Sequence, residues 1–249
     1  MADILHVDAM TREFGSVKAL ADVSLTLEEG TIHGVVGPNG AGKTTLLSIM
    51  SGYLLPTSGT VTLRGRDITR LTPQQRVPLG VVRTFQNIRL FSGLTVLQNV
   101  MLGQHTHART GLSSLLPFRT ASDRALLQEA RDSLDLFDLA SAADRRVSEL
   151  PYGLQKQLEM ARAMATKPQV LLLDEPAAGM TSSGRLQLTE RIRQLRDTGV
   201  TIVVVEHDMD VISRVCDTVT VLNFGRKIMA GSPGEVLASP EVRTAYLGT

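Results

Sequence analysis

The chain carries a single cysteine, Cys216, in 249 residues. An internal disulfide and a cysteine-built metal site are therefore excluded, and Cys216 reads as a small buried apolar residue rather than a reactive thiol. Neither sign of charge is in excess. Twenty-six basic residues face 25 acidic ones, a net charge of +1, so there is no electrostatic case for a nucleic-acid partner. No apolar run approaches the roughly 18 residues that a membrane-spanning helix needs. A charged-then-apolar signal segment, internal repeats and low-complexity tracts are not found either. The expectation is a cytosolic chain unless a partner holds it at a membrane. What is present is apolar residues at 43%, enough for one large domain, or a core with a subdomain.

The most informative stretch is Gly37-Pro38-Asn39-Gly40-Ala41-Gly42-Lys43-Thr44. It fits the phosphate-loop pattern G-x-x-x-x-G-K-[ST] without mismatch. Thr31 to Val36 before it reads as a short buried strand, and Thr45 to Met50 after it as a helix. Glycines let such a loop turn tightly and aim its N–H groups inward, and the helix adds its positive end. Lys43 supplies a point charge for β- and γ-phosphates, and the Thr44 hydroxyl can ligate Mg²⁺.

Ile4 to Met10, Val23 to Leu27 and Gly59 to Leu63 read as strands, an antiparallel sheet leading into the phosphate-loop strand. Arg83-Thr84-Phe85-Gln86 ends this β-rich part. Thr95 to Gly103, Ser122 to Leu139 and Gly153 to Thr166 have helical spacing, with a Gly/Ser/Pro-bearing connection over Thr106 to Thr120. Val170 to Leu173, Val200 to Val205 and Thr218 to Leu222 are apolar strands, with Ser182 to Arg196 a helix among them. Alternating strands and helices imply a parallel α/β sheet. The expected organisation is one domain: a core of 1–85 and 165–249 with an antiparallel β subdomain, and a helical subdomain over 86–164.

Four further segments carry candidate chemistry. Leu171-Leu172-Leu173-Asp174-Glu175-Pro176 puts consecutive acids at the end of a buried strand, which is costly unless something cationic faces them. Asp174 is placed to hold Mg²⁺ and Glu175 to accept a proton from an attacking water. An ordinary strand-end turn also carries acids and proline, and the phosphate loop decides against that reading. His207 follows the strand Val203 to Val205. A lone histidine there is usually a solvated residue, but a parallel sheet brings the ends at Gly37, Asp174 and His207 to one edge. Gln86 offers an amide to metal or water, and Leu150-Pro151-Tyr152-Gly153-Leu154-Gln155 offers a helix start suited to an anion. Each of these two, taken alone, reads as an ordinary loop residue or helix cap. His105 and His107 read as solvated loop residues, Met160 and Met164 as core.

In this order the segments resemble the ATP-binding subunits of ABC transporters, over about Phe14 to Leu247. On that resemblance Gly37 to Thr45 looks like Walker A, Gln86 the Q-loop and Leu150 to Leu154 the signature loop. Leu171 to Glu175 looks like Walker B, Ala178 to Thr181 the D-loop, His207 the switch histidine and Phe14 the aromatic that stacks on adenine. Such stacking would be worth roughly 1–3 kcal/mol. The runs Gly80 to Gln86, Arg89-Leu90-Phe91, Leu94-Thr95-Val96, Pro151-Tyr152-Gly153, Asp174 to Gly179 and Ala245 to Gly248 are similar to the uptake group for branched-chain amino acids and related amides or organic acids.

The resemblance implies the cofactors ATP and Mg²⁺, the latter held by Thr44, Gln86 and Asp174. Phe14, Gly37, Pro38, Asn39, Gly40, Ala41, Gly42, Lys43, Thr44 and Thr45 would bind nucleotide, with Gly153 contributing in trans. Glu175, His207, Lys43 and Gln86 would be catalytic. The implied partners are transmembrane permease subunits, a second identical or related ATPase chain and, indirectly, a solute-binding protein, and the implied place is the cytoplasmic face of the membrane. An exporter ATPase of the lipopolysaccharide type and a soluble ABC mechanoenzyme are the alternatives. The chain departs from the L-S-G-G-Q signature at Pro151, Tyr152 and Leu154, and carries Thr181 and Ser182 in the D-loop. With the serine missing, Gly153 and the helix start remain as a backbone anion site.

Overall fold

The computed structural model describes residues 2–104 and 121–247. The expected connection Thr106 to Thr120, and His105 with it, lies outside the described residues. Two compact units are present, one of Met1–Gln86 with Gln169–Thr249, the other of Asn87–Pro168.

The first unit holds two sheets. One is antiparallel, in the order β2-β1-β4-β5, from β1 (Asp3–Phe14), β2 (Val17–Glu28), β4 (Ser58–Leu63) and β5 (Arg66–Asp67). The other has the order β10-β9-β3-β8-β7-β6. It contains β3 (Ile32–Val36), β6 (Val81–Arg83), β7 (Val170–Asp174), β8 (Thr201–Val205), β9 (Thr218–Asn223) and β10 (Arg226–Gly231). Neighbours from β9 to β6 run parallel, and β10 returns antiparallel to β9. Every residue of β3, β7 and β8 is buried. A strand covered on both faces reads as an unbroken apolar run, which is why these three are visible in the sequence. Because they are parallel, the residues following Val36, Asp174 and Val205 emerge at one sheet edge.

The phosphate-loop helix α1 (Lys43–Met50) begins two residues before the expected Thr45. Its C-terminal end is closed by Arg76, which is fully buried in the short helix α2 (Pro73–Arg76). The guanidinium donates to the carbonyls of Ile49 and Met50, each at 2.7 Å, of Thr69 at 2.9 Å and of Leu71 at 3.0 Å. These include α1 carbonyls that have no partner within the helix. Burial lowers the Arg76 pKa to about 10, so it stays protonated at neutral pH.

The second unit contains α3 (Val96–Gly103), α4 (Ala121–Leu136) and α5 (Tyr152–Met164). Thr95 and Gln98 form a capping box at the start of α3. Its buried Asn99 brackets the backbone N–H and C=O of Phe91 at 2.9 and 3.1 Å. The expected helix to Leu139 stops at Leu136, because Asp138 takes a left-handed backbone (φ 55°) and Leu139 N–H returns to Leu134 O at 2.8 Å. Back in the first unit, α6 (Ser182–Asp197), α7 (Met209–Val215), α8 (Pro233–Ala238) and α9 (Pro240–Leu247) complete the described chain.

Two outcomes follow. Arg76→Met removes one donor from each of four carbonyls, of which Ile49 O keeps the Gly52 N–H at 3.0 Å, and is expected to cost about 3–5 kcal/mol, read as a lower urea midpoint. His33 on β3 is 5% exposed and pairs through Nε2 with Thr220 Oγ1 at 2.9 Å. Burial, with a smaller contribution from Lys227, lowers its pKa to about 4. The unfolded chain binds that proton first, so stability falls as pH drops from about 6.5 towards 4. Between pH 7 and pH 5 this group removes about 2 kcal/mol, and a folded His33→Gln variant should lose that much less over the same interval.

Candidate active site

The site lies at the shared C-terminal edge of β3, β7 and β8 and is built around the loop between β3 and α1. Two glycines in it are required by space. A Cβ on Gly37 (φ 150°) would meet Leu222 O at 2.1 Å, and one on Gly42 (φ 102°) would meet Ala19 O at 2.5 Å. The loop therefore packs directly on the backbones of β9 and β2. Asn39 to Thr45, Ala19 and Glu175 line a cavity of about 190 Å³. A larger recess of about 760 Å³ lies against Pro38 to Ala41, with Asn223, Phe224, Ile228 and α9, and among the described residues Glu241 is its one charged lining residue. The convergence of cation, amides and carboxylate is in the smaller cavity.

Lys43 is buried and its Nζ donates to the loop's own carbonyls, Gly37 O at 2.6 Å and Pro38 O at 3.0 Å. Burial lowers its pKa, opposed by the nearby Glu175 and Asp174 carboxylates. The ammonium and both acids thus act on one another across the site, the balance an anionic phosphate would enter.

Asp174 ends β7 and its side chain is 4% exposed. The cation facing it is Arg83 at the end of β6, with Nη2 at 2.7 Å from Oδ2 and a side chain 5% exposed. Sequence reasoning demands such a cation without naming it. The signal was an arginine closing one short strand, whose neighbour in the sheet is not legible from sequence. Glu175 adopts a left-handed backbone (φ 46°), held by Glu175 N–H to Val205 O at 3.0 Å. A non-glycine residue in that region is strained, as active-site residues often are. One Glu175 oxygen accepts from Gln86 Nε2 at 2.8 Å, so the glutamine touches the expected base.

His207 follows β8 with a side chain 60% exposed, and its Nδ1 lies 3.9 Å from Glu206 Oε2. Glu206, which has no role in the sequence reading, is fully buried. Its Oε1 accepts the Ala177 N–H at 2.8 Å, while Oε2 makes no hydrogen bond to a described residue. Burial raises its pKa, against the Ala177 hydrogen bond. The segment after β7 is thereby tied to the end of β8. Thr181, where the family pattern has an acid or amide, caps α6 by accepting the Gly184 N–H at 3.2 Å.

Phe14 closes β1 and is 47% exposed. It does not line the cavity, though Ala19 of the adjoining strand does. One face of its ring is covered by the Arg12 guanidinium, 4.5 Å from the centroid. In the second unit, Pro151 precedes the first turn of α5 with no side-chain cap, and Tyr152 and Gly153 are exposed. A helix start of this kind can receive an anion on its first amides, though the Leu154 N–H already bonds Pro151 O at 3.0 Å.

Mg²⁺ was the expected metal. Among the described residues no cluster of three or more His, Cys, Asp or Glu could hold a metal. Mg²⁺ takes one or two protein oxygens and completes its shell with phosphates and water. Thr44 and Asp174 are oxygen donors of that kind. Among the described residues no helix is long and apolar enough to cross a membrane.

Comparisons with known proteins agree with this geometry. A family model described as ABC transporter matches residues 20–178. The high-affinity branched-chain amino acid transport ATP-binding protein LivG of Salmonella typhimurium is 42% identical over 250 residues, covering 98% of each chain. BraF of Pseudomonas aeruginosa, of the same description, is 39% identical with the same coverage. The ADP conformation of MJ1267, an ATP-binding cassette of an ABC transporter, superposes with a TM-score of 0.89 at 30% identity and full coverage of both chains. The chain belongs to the ABC transporter family and is an ABC-type ATPase.

Proposed function

We propose that this chain binds MgATP at the β3–α1 loop and hydrolyses it to drive solute uptake through a membrane-embedded permease. The observation that carries the proposal is the cavity in which the Asn39 to Thr45 backbone, Lys43 and Glu175 converge. The loop amides and α1 N-terminus cradle the phosphates, and Lys43 exchanges its bonds to Gly37 and Pro38 for phosphate oxygens. Thr44 and Asp174, with Gln86 beside them, hold Mg²⁺, whose role is to neutralise charge on the β- and γ-phosphates. Glu175 orients and deprotonates water, with Gln86 hydrogen-bonded to it, and His207 donates to the γ-phosphate as charge builds. Phe14 presents its free ring face to adenine.

A second copy, or a related ATPase chain, supplies its Gly153 helix start to the same nucleotide. ATP then favours the closed pair because only that state lets it touch both chains. A dimeric post-hydrolysis state is described for the ATP-binding cassette MJ0796, a structure similar to this chain at a TM-score of 0.79 and 25% identity. The transported solute is a branched-chain amino acid or a related amide or organic acid, the first by likeness to LivG and BraF, and the chain works at the cytoplasmic face of the membrane on its permease subunits.

Glu175→Gln should lower ATP turnover by about 10²–10⁴-fold while equilibrium ATP binding is kept. Turnover at the unsubstituted rate would remove Glu175 from the role of base. Cells lacking the chain should lose uptake of radiolabelled leucine supplied at low concentration, and unchanged uptake would remove the solute assignment.

A further inference from the structure

We infer that Arg83 is a positioning residue for the metal site, holding Asp174 and the first turns of α1 at a fixed spacing. The inference rests on the proposed binding of MgATP. Beyond neutralising Asp174, the Arg83 guanidinium reaches in a second direction. Nη1 donates to Ser48 Oγ at 2.9 Å and lies 3.4 Å from Ser51 Oγ. Ser48 Oγ in turn donates to the carbonyl of Thr44 at 2.6 Å, and Ser51 Oγ to that of Leu47 at 2.7 Å. One planar group thereby connects the carboxylate of Asp174 to the backbone of Thr44. Both residues are among those that would hold the metal.

The group is itself immobilised. Its carbon lies 5.2 Å from the Phe85 ring centroid, and Tyr53 packs edge-on against that ring at 5.2 Å. A guanidinium suits this place because its fork can serve a carboxylate and a hydroxyl at once, in one plane. An ammonium keeps the charge but loses the fixed fork. Occupation of Oδ2 by Arg83 also limits how Asp174 can turn, leaving Oδ1 outside that ion pair. Outer-shell partners of this type commonly change metal affinity by about 10–100-fold when removed.

If neutralisation were all that Arg83 does, Arg83→Lys would behave as the unsubstituted chain. The test uses Mn²⁺ as the probe, titrated by electron paramagnetic resonance against the full chain with a non-hydrolysable ATP analogue. A parallel titration measures analogue affinity in EDTA. Arg83→Lys is expected to raise the half-saturating Mn²⁺ concentration about 10–100-fold, with the metal-free affinity unchanged. Ser48→Ala, which cuts the link to Thr44 without touching Asp174, should shift Mn²⁺ in the same direction by less. It also decides the matter if Arg83→Lys does not fold. Mn²⁺ titrations that overlay the unsubstituted chain in the folded variants overturn the inference. So does an equal loss of affinity with and without metal, the mark of general damage to the loop. Failure of the unsubstituted chain to bind the analogue at all would instead overturn the proposed function, and this inference with it.

Discussion

Three parallel strands buried on both faces, β3, β7 and β8, impose the constraint that everything else in the site follows. Their interiors have almost no room for groups that need water. Charge is therefore displaced to where the strands end, and because they run the same way they end together. Gly37, Asp174-Glu175 and Glu206-His207 are consequences of one boundary between apolar sheet and polar rim. The glycine loop exists because α1 must begin at that rim while packing against the backbones of Leu222 and Ala19.

Crowding of charge at the rim must be resolved before any ligand arrives. Asp174 faces Arg83, and Asp174 and Glu175 both act on Lys43, while the buried Glu206 adds a third acid beside His207. The two cations differ in mobility. Arg83 is fixed by hydrogen bonds on two sides and by an aromatic ring. The hydrogen bonds of Lys43 go to loop carbonyls, which a phosphate can replace. The same asymmetry separates the acids. Asp174 is clamped in the sheet, while Glu175 stands in a strained turn bonded to an exposed glutamine. Fixed groups suit metal positioning, and releasable ones suit chemistry on the bound nucleotide.

Much of this was legible in the sequence, for identifiable reasons. The buried parallel strands read as continuous apolar runs, and the phosphate loop has spacing that few other structures require. Sheet order was not legible, so the pairing of β6 with β7 that delivers Arg83 to Asp174 could not be anticipated. Glu206 stood in plain view beside His207, but its burial and its bond to Ala177 depend on packing between segments 29 residues apart. No strand or helix is expected after β9 although signals for them are present. Phe224-Gly225, both left-handed, turn β9 into β10, and Ser232-Pro233 with Glu235 forms a capping box at the start of α8. Those signals are short-range, and β10 is mostly exposed or half-buried, with no apolar run to mark it.

The central claim is that the β3–α1 loop and Lys43 form a triphosphate site. Isothermal titration of ATP into the purified chain, with Mg²⁺ and beside Lys43→Ala, tests it most directly. The account predicts one saturable ATP site per chain, lost or severely weakened in the variant while the fold is retained. Equal heats from the two proteins, or no heat from either, would contradict it.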